Sequence, residues 1–126
     1  MDIPATRALG RYGEQLACRY LSDAGFTILD RNWRCARGEI DIVARDAAAL
    51  VVCEVKTRSG AQFGAPFEAV TRQKVRRLRR LAMLWLDALP PAERGGLSTG
   101  TIRIDVVSIV KAGTGAARIT HLRGVL

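Results

Sequence analysis

The sequence predicts an α/β domain, on three observations. Residues 5–24 and 71–89 carry apolar side chains at helical spacing. Residues 38–58 alternate as two strands around a turn, and residues 101–110 form a β-branched run of strand type. At 126 residues the chain makes one domain, 1–126, long enough to bury a core without disulfides or a structural metal. Hydrophobic residues make up 48% of it, which argues against disorder.

In the first helix, Leu9, Leu16, Ala17, Tyr20, Leu21 and Ala24 define the apolar face, and Gly25 ends it. Gly10 and Gly13 each cost about 1 kcal/mol against alanine inside a helix. Small residues there predict close approach by another backbone or by a ligand. Glu14 sits at the edge of the buried stripe, open to two readings: an acid turned inward, or a surface acid paired with Arg11. Residues 26–33 read as a strand leading into the hairpin, where Asp46 is the one strong turn former. A glycine-rich loop, residues 59–67, leaves the hairpin as either a mobile flap or an ordinary connection.

The second helix begins near residue 66 or 71 and buries Val75, Leu78, Ala82, Trp85, Leu86 and Leu89. Pro90 and Pro91 stop it. Asp105 lies on the Arg103 and Val107 side of the strand that follows, where an ion pair with a neighbouring arginine is its simplest role. Residues 116–122 read as a last strand at a sheet edge, and His121 within it, the chain's one histidine, reads as structural or exposed rather than catalytic.

Charge narrows the function. The chain carries 20 Lys and Arg against 12 Asp and Glu, a net +8, and a small basic domain most often meets nucleic acid. Between residues 72 and 80 six of nine are basic, with no acid until Asp87. Solvated helix faces normally mix signs, and like charges at i,i+4 cost helix stability. Arg72, Arg76 and Arg80 are therefore expected to face phosphates, while Lys74, in a row with Leu78, Leu81 and Trp85, leans inward. Three separated cysteines without a C-x-x-C pair fit reduced thiols. With no apolar run of spanning length and no signal-peptide core, the expectation is a cytoplasmic protein without a membrane partner.

The hairpin holds the chemistry. Leu50, Val52, Glu54, Lys56 and Arg58 should share one strand face, with Val51, Cys53, Val55 and Thr57 on the other. In the first strand, Glu39, Asp41 and Val43 should lie opposite Ile40, Ile42 and Ala44. Paired strands stand about 4.8 Å apart, close enough for Asp41 and Glu54 to share one metal, with Lys56 one pleat along. A single histidine excludes histidine-cluster zinc sites. Neither a G-x-S-x-G elbow nor a phosphate-binding G-x-x-x-x-G-K-[ST] loop is present. Carboxylates remain, and hard oxygen ligands suit Mg²⁺ or Mn²⁺. Lys56 would position water or offset charge on the phosphorane oxygens, and Glu14 would add a further contact.

The run from Gly38 to Val43 (GEIDIV), followed by Glu54-Val55-Lys56-Thr57-Arg58, closely resembles the YraN family. That family groups small bacterial proteins regarded as nucleases of the PD-(D/E)XK superfamily, related to archaeal Holliday-junction resolvases. Gly13-Glu14, Arg31-Asn32, Ala69-Val70 with Lys74, and the segment from Arg103 to Val107 extend the resemblance over most of the chain. It implies an α/β restriction-endonuclease-like core, a mixed central β-sheet flanked by helices. By matching positions it implies Asp41 and Glu54 as metal ligands, Lys56 as the catalytic lysine and Glu14 as the first-helix acid. Ile40 stands where the superfamily often has proline. The expected activity is a metal-dependent DNA endonuclease, acting on branched DNA in the manner of a resolvase, with Arg58, Arg72, Lys74, Arg76 and Arg80 on the backbone. Recognition would be of shape rather than sequence. Resolvases act as symmetric dimers, so a homodimer is a further expectation. The alternative is a non-catalytic or partner-dependent nucleic-acid-binding module.

Overall fold

The computed structural model describes residues 5–59, 70–111 and 113–125. Its elements run α1 (Ala5–Asp23), β1 (Thr27–Cys35), β2 (Gly38–Asp46), β3 (Ala49–Ser59), α2 (Arg72–Ala88), β4 (Ile102–Lys111) and β5 (Arg118–Leu122). The strands form a single sheet in the order β1-β2-β3-β4-β5. Among the described strands only β3 and β4 pair in parallel; α2 lies between them in the chain and supplies the crossover that parallel neighbours need. The result is the mixed sheet flanked by helices that a restriction-endonuclease-like core requires.

Each helix buries one face of that sheet. Val75, Leu78, Leu81, Ala82, Trp85 and Leu86 of α2 pack on Val43, Leu50, Val52, Ile104 and Val106. On the other side, Ala17 and Leu21 of α1, with Phe26 after it, pack on Ile42, Val51, Cys53, Val107 and Ile109. The alternation expected along β3 is therefore observed, with Val52 toward α2 and Cys53 toward α1. Cys53 is fully buried and Cys18 half-buried, and burial pushes both thiols up.

Local chemistry sets the element ends. The Thr71 hydroxyl accepts from the Lys74 N–H at 3.1 Å and caps α2. The α1 helix closes with Gly25 at φ +97° and the Phe26 N–H on the Leu21 carbonyl at 2.9 Å, the left-handed ending that glycine permits. The glycine-rich loop and position 69 lie outside the described residues.

Two parts of the hairpin depart from the expectation. The turn falls at Ala47 and Ala48, with Ala47 at φ +53°. Arg45 compensates for the missing turn residue by donating from Nε to the Ala47 carbonyl (3.0 Å) and from a terminal nitrogen to the Gly95 carbonyl (2.7 Å). Ile40, expected on the side of Ile42, instead packs with Val43 in the α2-side core. Strict alternation would put residues 40 and 43 on opposite faces. The reversal comes at Asp41, bracketed in the β1–β2 ladder by Trp33 against Ile40 and Arg31 against Ile42. Asn32, across from Asp41, has φ +51°, a conformation asparagine tolerates better than most residues. Both strands re-aim there together.

Candidate active site

The β2 and β3 strands pair from Asp46 against Ala49 as far as Ile42 against Cys53. At Asp41 the side chain takes over from the ladder, and the Val55 N–H donates to its Oδ2 at 2.8 Å. The Asp41 carboxylate is thereby fixed over β3 next to Glu54. Glu54 projects toward α2, where its Oε1 meets Lys74 Nζ at 3.1 Å and Lys56 Nζ at 3.4 Å. Lys74 does lean inward, half-buried, while Arg72, Arg76 and Arg80 are exposed on the same helix. Arg58, half-buried, continues the Glu54–Lys56 face of β3.

Glu14 arrives from the opposite helix, which is seated closely on β3. A Cβ on Gly13 would stand 2.8 Å from Thr57 Cβ and Cγ2 and nearer still to Oγ1, so only glycine allows this approach. Glu14 is half-buried, and among the described residues no ion pair joins it to Arg11, which disfavours the surface-pair alternative. Its charge is felt at Asp41. Burial pushes the Asp41 carboxyl up to about 7; the Val55 N–H opposes the rise, and the charges of Glu54, Glu14 and Glu39 add to it. Acids on α1, β2 and β3 therefore all bear on the Asp41 carboxyl.

The two lysines share one carboxylate oxygen. Burial and the neighbouring Lys74 ammonium push Lys56 down, against the pull of Glu54. Lys74 moves up despite its burial, through its contacts with Lys56 and Glu54. Low local dielectric makes two adjacent ammonium groups costly unless anions balance them, and Glu54 does this for both.

A divalent cation is compatible with this donor set. Mg²⁺ is commonly held by one or two carboxylates with water filling the remaining positions. Asp41 Oδ1 has no protein donor among the described residues, and Glu54 lies beside it. Among the described residues no cluster of three or more His, Cys, Asp or Glu side chains is arranged as a metal cage, so water or substrate oxygens would complete the shell.

Asp105 and His121 stand apart on the α1 face. Asp105 is fully buried and accepts from Arg103 (2.9 and 3.0 Å) and the Gly124 N–H (3.0 Å). His121 Nε2 lies 2.8 Å from Asp105 Oδ2, an oxygen Arg103 also reaches, and His121 Nδ1 lies 3.1 Å from the Tyr20 hydroxyl. Arg103 also donates to Asp46 at 2.9 Å. Burial raises the Asp105 carboxyl, but Arg103, the Gly124 N–H and His121 outweigh it and hold the group below the usual carboxylate range. This network ties β4, β5 and the residues after it to α1. The arginine partner was legible from Arg-x-Asp alternation; the histidine and tyrosine were not, being far apart in the chain.

Comparison with known proteins places these residues in context. The family described as "Uncharacterised protein family UPF0102" matches residues 13–109, which include Glu14, Asp41, Glu54, Lys56 and the basic run of α2. The chain is 54% identical to a UPF0102 protein of Streptomyces coelicolor over 98% of its own length and 92% of the relative's. It is 50% identical to a UPF0102 protein of Kineococcus radiotolerans, covering 99% and 98%. A third, from Frankia alni, is 50% identical over 98% of both chains. Among the described residues no helix is long and apolar enough to cross a membrane.

Proposed function

This chain belongs to the UPF0102, or YraN, family, and from that premise we propose that it is a metal-dependent DNA endonuclease working in the cytoplasm. The observation that supports the reading is the Asp41 carboxylate held on the Val55 N–H, next to Glu54 and Lys56, where β2 and β3 separate, with the charge of Glu14 bearing on Asp41 and the arginines of α2 exposed on the Glu54 side of the sheet. Asp41 and Glu54 would hold Mg²⁺ or Mn²⁺. Such an ion, when bound, polarises the scissile phosphate and lowers the pKa of water.

The chain's own residues would do the rest. Lys56 stands on the same strand face as Glu54, where its ammonium can face a non-bridging phosphate oxygen or orient the attacking water. Glu14, from the α1 side, would offer an acceptor for a water proton. Lys74 balances Glu54, and Arg72, Arg76, Arg80 and Arg58 would meet the backbone, whose phosphates position a nucleic acid without reading sequence. Branched DNA is the substrate class the reading favours, and a homodimer would supply the paired cuts such a junction needs.

One observation favours a second reading. Glu54 is already engaged by two lysines, which suits a nucleic-acid-binding module that cuts only with a partner or not at all. Incubation with Mg²⁺ or Mn²⁺ and labelled linear, flapped and four-way DNA decides between them. Cutting that disappears in Asp41→Ala and Lys56→Ala supports the endonuclease. Intact DNA on every substrate, still bound equally by wild type and Asp41→Ala, supports the binding module.

A further inference from the structure

Two glycines interrupt α1, and the folded chain accounts for one of them. Gly13 makes room for Thr57. Gly10 has no such neighbour among the described residues, where a Cβ built there meets nothing within 4 Å. A glycine within a helix is unfavourable relative to alanine, and none of the described residues packs closely enough on Gly10 to require one there.

Gly10 lines a cavity of about 460 Å³ with Arg7, Arg11, Glu14, Asn32 and Arg34. Arg7 and Arg11 stand one helical turn apart, and Arg34 approaches from β1. The lining thus carries three arginines against one carboxylate; Arg34 also pairs through Nε with Glu39 at 3.0 Å. Among the described residues, none of the lining side chains is apolar or aromatic. Base recognition in single strands relies on aromatic platforms, whereas guanidinium forks suit phosphate. The bare backbone at Gly10 leaves the floor open to a close-approaching ligand.

The cavity also touches the carboxylate site twice. Glu14 lines it and acts on Asp41. Asn32, with its left-handed backbone, stands across the β1–β2 ladder from Asp41. We infer that this α1–β1 cavity binds a backbone phosphate of the nucleic acid, on the side of the carboxylate cluster opposite the α2 arginines. The inference rests on the nucleic-acid reading of that cluster and deepens it: the strand is gripped on both flanks of the carboxylates.

Gly10→Leu is the sharpest test, because it fills the cavity, changes no charge and replaces a poor helix residue with a good one. Arg7→Gln, at an exposed position, is the second variant. Binding of labelled duplex and single-stranded DNA is measured by anisotropy across a salt series, with thermal melts to verify folding. Both variants are expected to bind several-fold more weakly, with the salt slope lowered by about 0.9 per lost phosphate contact on duplex or about 0.7 on single strands. Wild-type affinity and slope in both folded variants would overturn the inference while leaving the nuclease reading intact. Wild type that binds without cutting, beside a weakened Gly10→Leu, would sink the nuclease reading and leave the cavity standing. Absence of DNA binding by wild type would overturn both. A parallel NMR titration separates polymer from free phosphate: shifts at the Gly10, Arg11 and Asn32 amides are expected with a short oligonucleotide. Shifts with inorganic phosphate alone, and none with the oligonucleotide, would overturn the assignment to a nucleic-acid backbone.

Discussion

Alanine at Gly13 and alanine at Gly10 should act in opposite directions although the two sites lie on one helix. At Gly13 the new Cβ would stand 2.8 Å from Thr57 Cβ and Cγ2, inside the 3.0 Å that real Cβ atoms keep. The obstacle is the base of a β-branched side chain on a paired strand, so α1 itself has to move. Overpacking of this kind costs about 1–3 kcal/mol, and the gain in helix propensity returns about 0.8–1.0. The net is a loss of up to about 2 kcal/mol. At Gly10 only the gain operates, so Gly10→Ala should stabilise by about 0.8–1.0 kcal/mol. Urea unfolding measures both, through midpoint shifts at unchanged m. In a Thr57→Ala background, which removes Oγ1 and Cγ2, the Gly13→Ala penalty should shrink, giving a coupling typical of touching residues. Equal stabilisation by the two alanines would refute the close seating of α1 on β3, and with it the placement of Glu14.

Other perturbations follow from the same geometry. Asp105→Asn breaks a buried, multiply bonded anion site and should cost about 3 kcal/mol, the low end for buried pairs, since Arg103 retains Asp46. Because the Asp105 carboxyl is held below its unfolded value, its contribution is present above about pH 4 and lost as pH falls through the folded value; stability curves of wild type and variant should converge in acid. Asp41 carries the reverse sign: with its carboxyl pushed up to about 7, stability in metal-free buffer is full below about pH 4 and lost as pH rises through about 7. Asp41→Asn should lack that decline, and chemical denaturation at stepped pH checks it. Arg76→Ala with Arg80→Ala should weaken binding to all DNA sequences alike and lower the salt slope by about 0.9 per phosphate lost; an effect confined to one sequence would contradict the backbone role.

Much of this arrangement was legible because strong periodicity survives folding. The α2 stripe from Val75 to Leu86 and the alternation of β3 required nothing beyond side-chain spacing. So did the shared face of Glu54 and Lys56. The reversal at Asp41 was hidden because it depends on two strands twisting together, with a left-handed Asn32 that no local pattern announces. The Ala47–Ala48 turn was hidden for a related reason: its stabiliser, Arg45, reaches Gly95, 50 residues away. The Tyr20–His121 contact spans 101 positions. Sequence spacing carries what one element does alone, and these features arise only where elements meet.

Calorimetric titration of Mn²⁺ into wild type, Asp41→Ala and Glu54→Ala tests most directly whether the carboxylate pair is a metal centre. The account predicts one site in wild type, lost or severely weakened in either variant, with each variant still folded. Equal binding in all three proteins, or none in wild type even with DNA present, would contradict it.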